Sequence, residues 1–181
     1  MNFQNTSNKK GFSEKLKPWI GSLIILPLVI YYTLNKGQFT FIDFLNLLIH
    51  EGGHGVFKIF GEFIYFAGGT IMQLLIPFLF IITYWRLQNR FVVQLSMVWF
   101  GENMMNVAVY VADARARKLP LLGGNKVRHD WTVLLHKLNM LHLDLQIAEI
   151  IYYLAIAVFI CALLAPLYIA RSKRIDLKLN L

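Results

Sequence analysis

The sequence predicts an all-α polytopic membrane protein with about five transmembrane helices. Of its 181 residues, 57% are hydrophobic and 15% are charged, a composition too apolar for one soluble domain of this length. The apolar residues fall in separate segments long enough to enter or cross a bilayer, and most basic residues lie between these segments. The few polar groups inside the apolar segments are therefore the first place to look for function.

Charge and cysteine content exclude several classes of protein. The formal net charge is +8, but no basic stripe follows a polar helix face, so no nucleic-acid partner is expected. The single cysteine, Cys161, excludes an intrachain disulfide and a zinc site built on cysteines. Any metal must be held by histidine, aspartate or glutamate.

The chain divides into a polar basic N-terminal tail over residues 1–18, a membrane domain over 19–170 and a basic C-terminal tail over 171–181. The first apolar segment, residues 19–34, has no small-residue cleavage site after it, which favours a retained span over a signal peptide. Four more apolar segments follow, at residues 39–60, 70–85, 91–112 and 147–170.

The topology depends on the basic loops. The most basic loop, residues 115–137, is predicted to be cytoplasmic together with the N-terminal tail. A fifth crossing then places the basic C-terminal tail outside, unless residues 131–143 also enter the membrane. We therefore expect a multi-pass protein of the cell (inner) membrane with four to six spans, in contact with membrane lipid.

The second segment contains an H-E-x-x-H motif, His50-Glu51-Gly52-Gly53-His54. Residues four apart lie on one face of a helix with Cβ atoms about 5–6 Å apart, so both imidazoles reach one Zn²⁺. Glu51 lies one position around the helix, where a metallopeptidase has its general base. The alternative is a structural His/Glu cluster; ionisable side chains in an apolar segment are costly, which favours the metal site.

Two histidines do not complete a catalytic zinc site, because a third protein ligand is expected and the fourth position is left to water. The fourth segment places polar side chains on one face of an otherwise apolar helix: Glu102, Asn103, Asn106, Tyr110 and Asp113. Such a face is expected to look at the bundle interior or an aqueous cavity. The alternative is a structural hydrogen-bond seam between helices.

Asp113 is the first candidate for the third ligand, because no lysine or arginine partner lies on the same face. Asp130 and His129, at the start of the next predicted helix, are the alternatives, and either could instead cap that helix. Asn103 and Asn106 are candidates for binding the substrate backbone or the tetrahedral oxyanion.

This order of features, an H-E-x-G-H stretch in an apolar segment, then Gly-Gly, then an aspartate on a later segment, resembles the site-2 protease family of intramembrane zinc metalloproteases. The resemblance runs from about residue 41 to residue 113 and more loosely to residue 131. In that family an extended stretch ending in Gly-Gly follows the histidines, and residues 61–70 with Gly68 and Gly69 are similar. The resemblance implies a short extended segment here, which could bind substrate as an added strand; a plain turn is the alternative.

The family's third zinc ligand is an aspartate in an Asn-Pro-x-Asp-Gly or Leu-Asp-Gly stretch. The spacing from Asn106 to Asp113 is similar, although no proline precedes Asp113 and Ala114 stands where glycine is usual. The resemblance implies one Zn²⁺ per chain and a substrate that is the membrane-spanning segment of another protein.

The leading hypothesis is a zinc-dependent intramembrane endopeptidase in which His50, His54 and Asp113 hold Zn²⁺ and Glu51 is the general base. A helical substrate must first unwind, because its carbonyls are engaged in its own hydrogen bonds. One alternative is a catalytically silent membrane adaptor, against which the intact Glu51 argues. Another is a metal transporter, which would need ligands at several depths. The sequence leaves the oligomeric state open.

Overall fold

The computed structural model describes residues 14–122, 124 and 127–169. Within these ranges all regular structure is helical, which confirms the predicted all-α class. The α-helices of the described residues are α1 (Ile20–Asn35), α2 (Asp43–Phe57), α3 (Glu62–Arg86), α4 (Arg90–Ala112), α5 (Asp130–Lys137) and α6 (Asp144–Leu164). The predicted C-terminal tail and residues 1–13 of the predicted N-terminal tail lie outside the described residues.

Three helical stretches of the described chain are long and apolar enough to cross a membrane: Glu14–Asn35, Glu62–Arg86 and Leu141–Leu167. In the most apolar 18 residues of each stretch, between 17% and 28% of the residues are buried inside the protein. Most of these side chains therefore face outward, as lipid-facing side chains do. The predicted spans at α2 and α4 stay predictions, since α2 has 15 residues and α4 carries polar groups along one face.

Residues 131–143, the segment that was an alternative entry into the membrane, contain no continuous helix long enough to cross a bilayer. They contain most of the eight-residue helix α5 and the 3-10 turn Leu141–Leu143. At 1.5 Å per residue α5 is about 12 Å long, against a hydrocarbon core of about 30 Å. Leu135 of α5 instead packs into a cluster with Val111 and Ala148, which fixes α5 against α4 and α6.

Helix α4 lies at the centre of the bundle, where it packs along α6 and α3 and also contacts α1. Its apolar side chains form the main core with α1 and α6, a cluster of Ile25, Val29, Val98, Met105, Ala155, Phe159 and Ala162. Helix α2 packs mainly on α3 and so lies at the edge of the bundle.

The prediction of an extended segment around Gly68 and Gly69 is wrong, because both glycines lie inside α3. They are buried where α3 meets α2. A Cβ atom at Gly53 would come closer than 3.0 Å to the carbonyl oxygen of Gly68, and one at Gly69 would come equally close to Nε2 of His50. These glycines therefore allow α2 and α3 to pack backbone to backbone, and they offer no strand edge to a substrate.

Adjacent glycines in the H-E-x-x-H motif allow a matched test of this packing. Gly53→Ala is expected to lower the free energy of unfolding by about 1–3 kcal/mol, because the added methyl group overlaps the α3 backbone. A Cβ atom at Gly52 would have no neighbouring atom within 4 Å. We therefore expect Gly52→Ala to leave the free energy of unfolding unchanged or to raise it by up to about 1 kcal/mol, because alanine has the higher helix propensity. Denaturant titration of the detergent-solubilised protein measures both, and equal effects would contradict the proposed packing.

Candidate metal centre

The two histidines of the motif converge on one carboxylate oxygen. Oδ2 of Asp130 lies 3.0 Å from Nε2 of His50 and 3.2 Å from Nε2 of His54. One potential ligand atom from each residue lies within 4.8 Å of the others. These three residues could hold one metal ion, so the structure brings together the predicted histidine pair and the aspartate that was predicted as an alternative ligand.

The second nitrogen of each ring is held by α3. Nδ1 of His50 lies 3.1 Å from Oε1 of Gln73, and Nδ1 of His54 lies 2.8 Å from the carbonyl oxygen of Tyr65. Both partners are acceptors, so each Nδ1 donates its N–H to α3, and this leaves Nε2 of each ring directed at Asp130. Metal-ligating histidines are oriented in this way by a second hydrogen bond on the far side of the ring.

The donor set therefore fits a metal ion. Each imidazole faces an acceptor at both nitrogens, but a neutral imidazole supplies only one N–H. The two Nε2 atoms and the Asp130 carboxylate thus meet at one point, which can be occupied either by the proton of an imidazolium or by a metal ion. Two imidazole nitrogens and one carboxylate oxygen are ligands that zinc uses in catalytic sites.

Asp130 is held in place by its neighbours on α4. It is the first residue of α5 and is 5% exposed. The Tyr110 hydroxyl donates to Oδ2 of Asp130 at 3.3 Å and accepts the Asp130 backbone N–H at 3.2 Å. Burial by itself would raise the pKa of the Asp130 carboxyl, but hydrogen bonds to His50 and His54 outweigh burial and hold that pKa below its usual value. The carboxylate is therefore in the ionised form that a metal requires.

Asp113, the first candidate for the third ligand, is placed elsewhere. Helix α4 ends at Ala112, so the Asp113 carboxylate turns into the following loop and accepts the backbone N–H groups of Lys118 at 2.8 Å and Leu119 at 3.0 Å. Asp113 would share the polar face of Glu102 and Asn106 only if α4 continued through residue 113. Asp113 instead stabilises the loop that follows α4.

His129, the other alternative ligand, caps α5. Its Nδ1 accepts the backbone N–H of Thr132 at 3.3 Å, and its Nε2 lies 3.4 Å from Oδ2 of Asp113. Burial lowers the pKa of His129 below its usual value, although the nearby Asp113 opposes the shift. His129 is therefore a neutral cap that positions the neighbouring Asp130.

Polar side chains on one face of α4 form a row of hydrogen bonds with α2, a hydrogen-bond seam, which is the structural role predicted as the alternative. Asn46 donates to Glu102 at 2.8 Å, and Asn106 donates to Asp43 at 2.8 Å. Asn103 donates to Asn46 at 3.3 Å and is fully buried. Of the two asparagines predicted to bind substrate, Asn106 also lines a cavity beside the metal centre, whereas Asn103 belongs to the seam.

A cavity of about 710 Å³ opens on the candidate metal centre. Glu51 is half-buried and lines this cavity together with His50, His54 and Asp130. Most of the remaining lining is apolar and comes from α2, α3, α4 and the loop that follows α4, and it includes Leu47, Phe66, Val107, Val109, Pro120 and Leu121. The volume falls within the range of small-molecule and cofactor sites, about 300–1,000 Å³. Gly68 and Gly69 lie beneath the histidines, at the α2–α3 contact.

Sequence reasoning did not identify the two partners that α3 supplies. Gln73 is a buried amide in an apolar helix, and that pattern alone could have marked it as a partner for a polar group. The Tyr65 carbonyl carries no sequence signal, because any residue there supplies the same group.

In the part of the chain that the structure describes, fold and site define an all-helical protein with three candidate membrane spans and a group of two histidines and an aspartate that could bind metal. No protein-family model matches the chain, and comparisons with curated proteins and with solved structures return no match. Its function must therefore be inferred from the geometry of His50, Glu51, His54 and Asp130.

The choice of third ligand can be tested by metal analysis. The purified protein is expected to hold about one zinc ion per chain, and His54→Ala and Asp130→Ala are each expected to lose it. Asp113→Asn is the control, because its carboxylate contacts backbone N–H groups of the loop, and it should retain the metal. Elemental analysis of the protein in detergent gives the stoichiometry. Metal lost in Asp113→Asn and kept in Asp130→Ala would reverse the assignment.

The role of Gln73 has its own test. Gln73→Leu removes the acceptor that orients His50 and is expected to weaken zinc affinity by about 10–100-fold. Gln94 offers a matched control, because it is equally buried but bonds to Ser22 and the carbonyl of Ala162. Competition with a fluorescent chelator measures both affinities, and an equal loss in Gln94→Leu would mean that general destabilisation is the cause.

Proposed function

We propose that this chain is a zinc-dependent intramembrane endopeptidase that hydrolyses peptide bonds in or near the transmembrane segments of substrate proteins. The observation that carries the proposal is the convergence of His50, His54 and Asp130 in a cavity that Glu51 also lines. The proposed location is the cell (inner) membrane, as a multi-pass protein, and the proposed relatives are the site-2 proteases.

Each polar group has a role in the proposed reaction. His50, His54 and Asp130 would hold the zinc ion, which, when bound, supplies Lewis-acid polarisation of a carbonyl and lowers the pKa of water. Glu51 accepts a proton from the attacking water and returns it to the leaving amine as the C–N bond breaks. Gln73 and the Tyr65 carbonyl keep the histidine rings oriented, and Tyr110 keeps Asp130 in place.

The position of α2 supports a substrate that arrives from the side. Helix α2 packs mainly on α3, and its outer face is apolar and exposed at Phe44 and Leu48. The candidate metal centre is therefore one helix away from the surroundings of the bundle. A transmembrane substrate still has to unwind locally, because a helix hides its carbonyls in its own hydrogen bonds.

The general-base role of Glu51 gives the central test of the function. In proteoliposomes containing a synthetic transmembrane peptide, Glu51→Gln is expected to lower the cleavage rate at least about 100-fold while the zinc content is unchanged. Glu149→Gln, on the exposed side of α6, is the control and should cleave at the wild-type rate. Mass spectrometry of the fragments reports both the rate and the cleaved bond.

Other outcomes of this experiment are equally informative. Wild-type cleavage by Glu51→Gln would contradict the proposed mechanism. A zinc-loaded wild type that binds the peptide without cleaving it would indicate the adaptor. Zinc flux across the same vesicles without cleavage would indicate the transporter.

A further inference from the structure

The cavity beside the metal centre is lined by three turns of α2. Its lining residues on this helix share one face, from Asp43 through Leu47, His50 and Glu51 to His54. They span eleven helical steps, or about 16 Å at 1.5 Å per residue. An extended peptide advances about 3.3 Å per residue, so the cavity has room for about five residues.

Arg128 lies at the edge of this cavity, two positions before Asp130. Its Cζ atom is 4.7 Å from the ring centroid of Phe66, and both residues line the cavity. One guanidinium nitrogen, Nη2, donates to Oε1 of Glu62 at 2.9 Å. A guanidinium carries five N–H donors in a planar fork, and stacking on an aromatic ring fixes the plane of that fork.

Positive charge is in excess at this edge. Glu62 is paired with Arg128 and also with Lys137, so one carboxylate serves two cations. The Arg128 side chain is 59% exposed and the Glu62 side chain is 50% exposed, so an incoming anion can reach them. Planar, two-point recognition of a carboxylate is the task to which arginine is best suited.

We propose that Arg128 binds a carboxylate of the substrate close to the cleaved bond and so determines specificity. The carboxylate is either an acidic side chain or the C-terminus of the substrate chain, since both present the same group. This proposal rests on the proposed peptidase function and adds a substrate class to it. Glu62 already shows how a carboxylate meets this guanidinium.

Binding of uncleaved ligands tests the proposal. The probes are short apolar peptides that carry a zinc-chelating hydroxamate and one Asp or Asn placed one to three residues from it. A second pair has a free or an amidated C-terminus. The protein is the full zinc-loaded chain with Glu51→Gln, which prevents turnover. In one of the two pairs, we expect the peptide with the carboxylate to bind about tenfold more tightly than the matching amide, as for a charged hydrogen bond at an exposed site. The pair that shows this preference tells whether Arg128 binds an acidic side chain or the C-terminus of the substrate.

Two further variants assign the preference to Arg128. Arg128→Gln is expected to reduce the tenfold preference to about onefold. Lys137→Gln removes the other positive charge that pairs with Glu62. Because Lys137 does not line the cavity, the Lys137→Gln variant should keep the preference. A preference that survives in Arg128→Gln, or is lost equally in both variants, overturns the proposal. Failure of every peptide to bind, the neutral ones included, would contradict the peptidase site itself.

Discussion

The close contact between α2 and α3 determines the geometry of the candidate site. Glycines on both helices let the backbones approach, and the ring of His50 then packs directly over Gly69. From this position α3 supplies the acceptors for both Nδ1 atoms, Gln73 and the Tyr65 carbonyl. The orientation of both imidazoles is therefore a consequence of helix packing. Side chains larger than glycine at this contact would separate the histidines from the groups that orient them.

The second constraint is the cost of burying polar groups in an apolar bundle. Asp43, which is 1% exposed, accepts hydrogen bonds from the Thr40 backbone N–H and hydroxyl, from Asn46 and from Asn106. A buried carboxylate without such partners would be strongly unfavourable. Helix α2 is thus joined to α4 by polar contacts and to α3 by backbone packing. The cavity lies between these two attachments, which leaves room for a ligand without separating the helices.

The proposed peptidase combines these two features with an apolar exterior. Outward-facing apolar side chains suit a bilayer, while the ionisable groups of the H-E-x-x-H motif face inward to Asp130 and the cavity. The loop after α4 completes the cavity wall through Pro120 and Leu121, and its start is stabilised by Asp113. Asp113 therefore supports the site through the loop, in a role different from the ligand role that its position in the sequence suggested.

The helical class, the approximate positions of the long helices and the pairing of His50 with His54 follow from the amino-acid sequence alone. These features are local: apolar runs between polar turns mark helices, as residues 91–112 do for Arg90–Ala112, and a spacing of four puts two side chains on one face. The candidate third ligand and the role of Gly68 and Gly69 depend on contacts between helices that are far apart in the sequence. Asp130 is 80 residues from His50, and only the packing of α5 against α3 and α4 brings it there. A Gly-Gly pair suits a turn, an extended stretch or a close helix contact equally well, and the neighbouring helix selects among them, because glycine itself imposes no conformation.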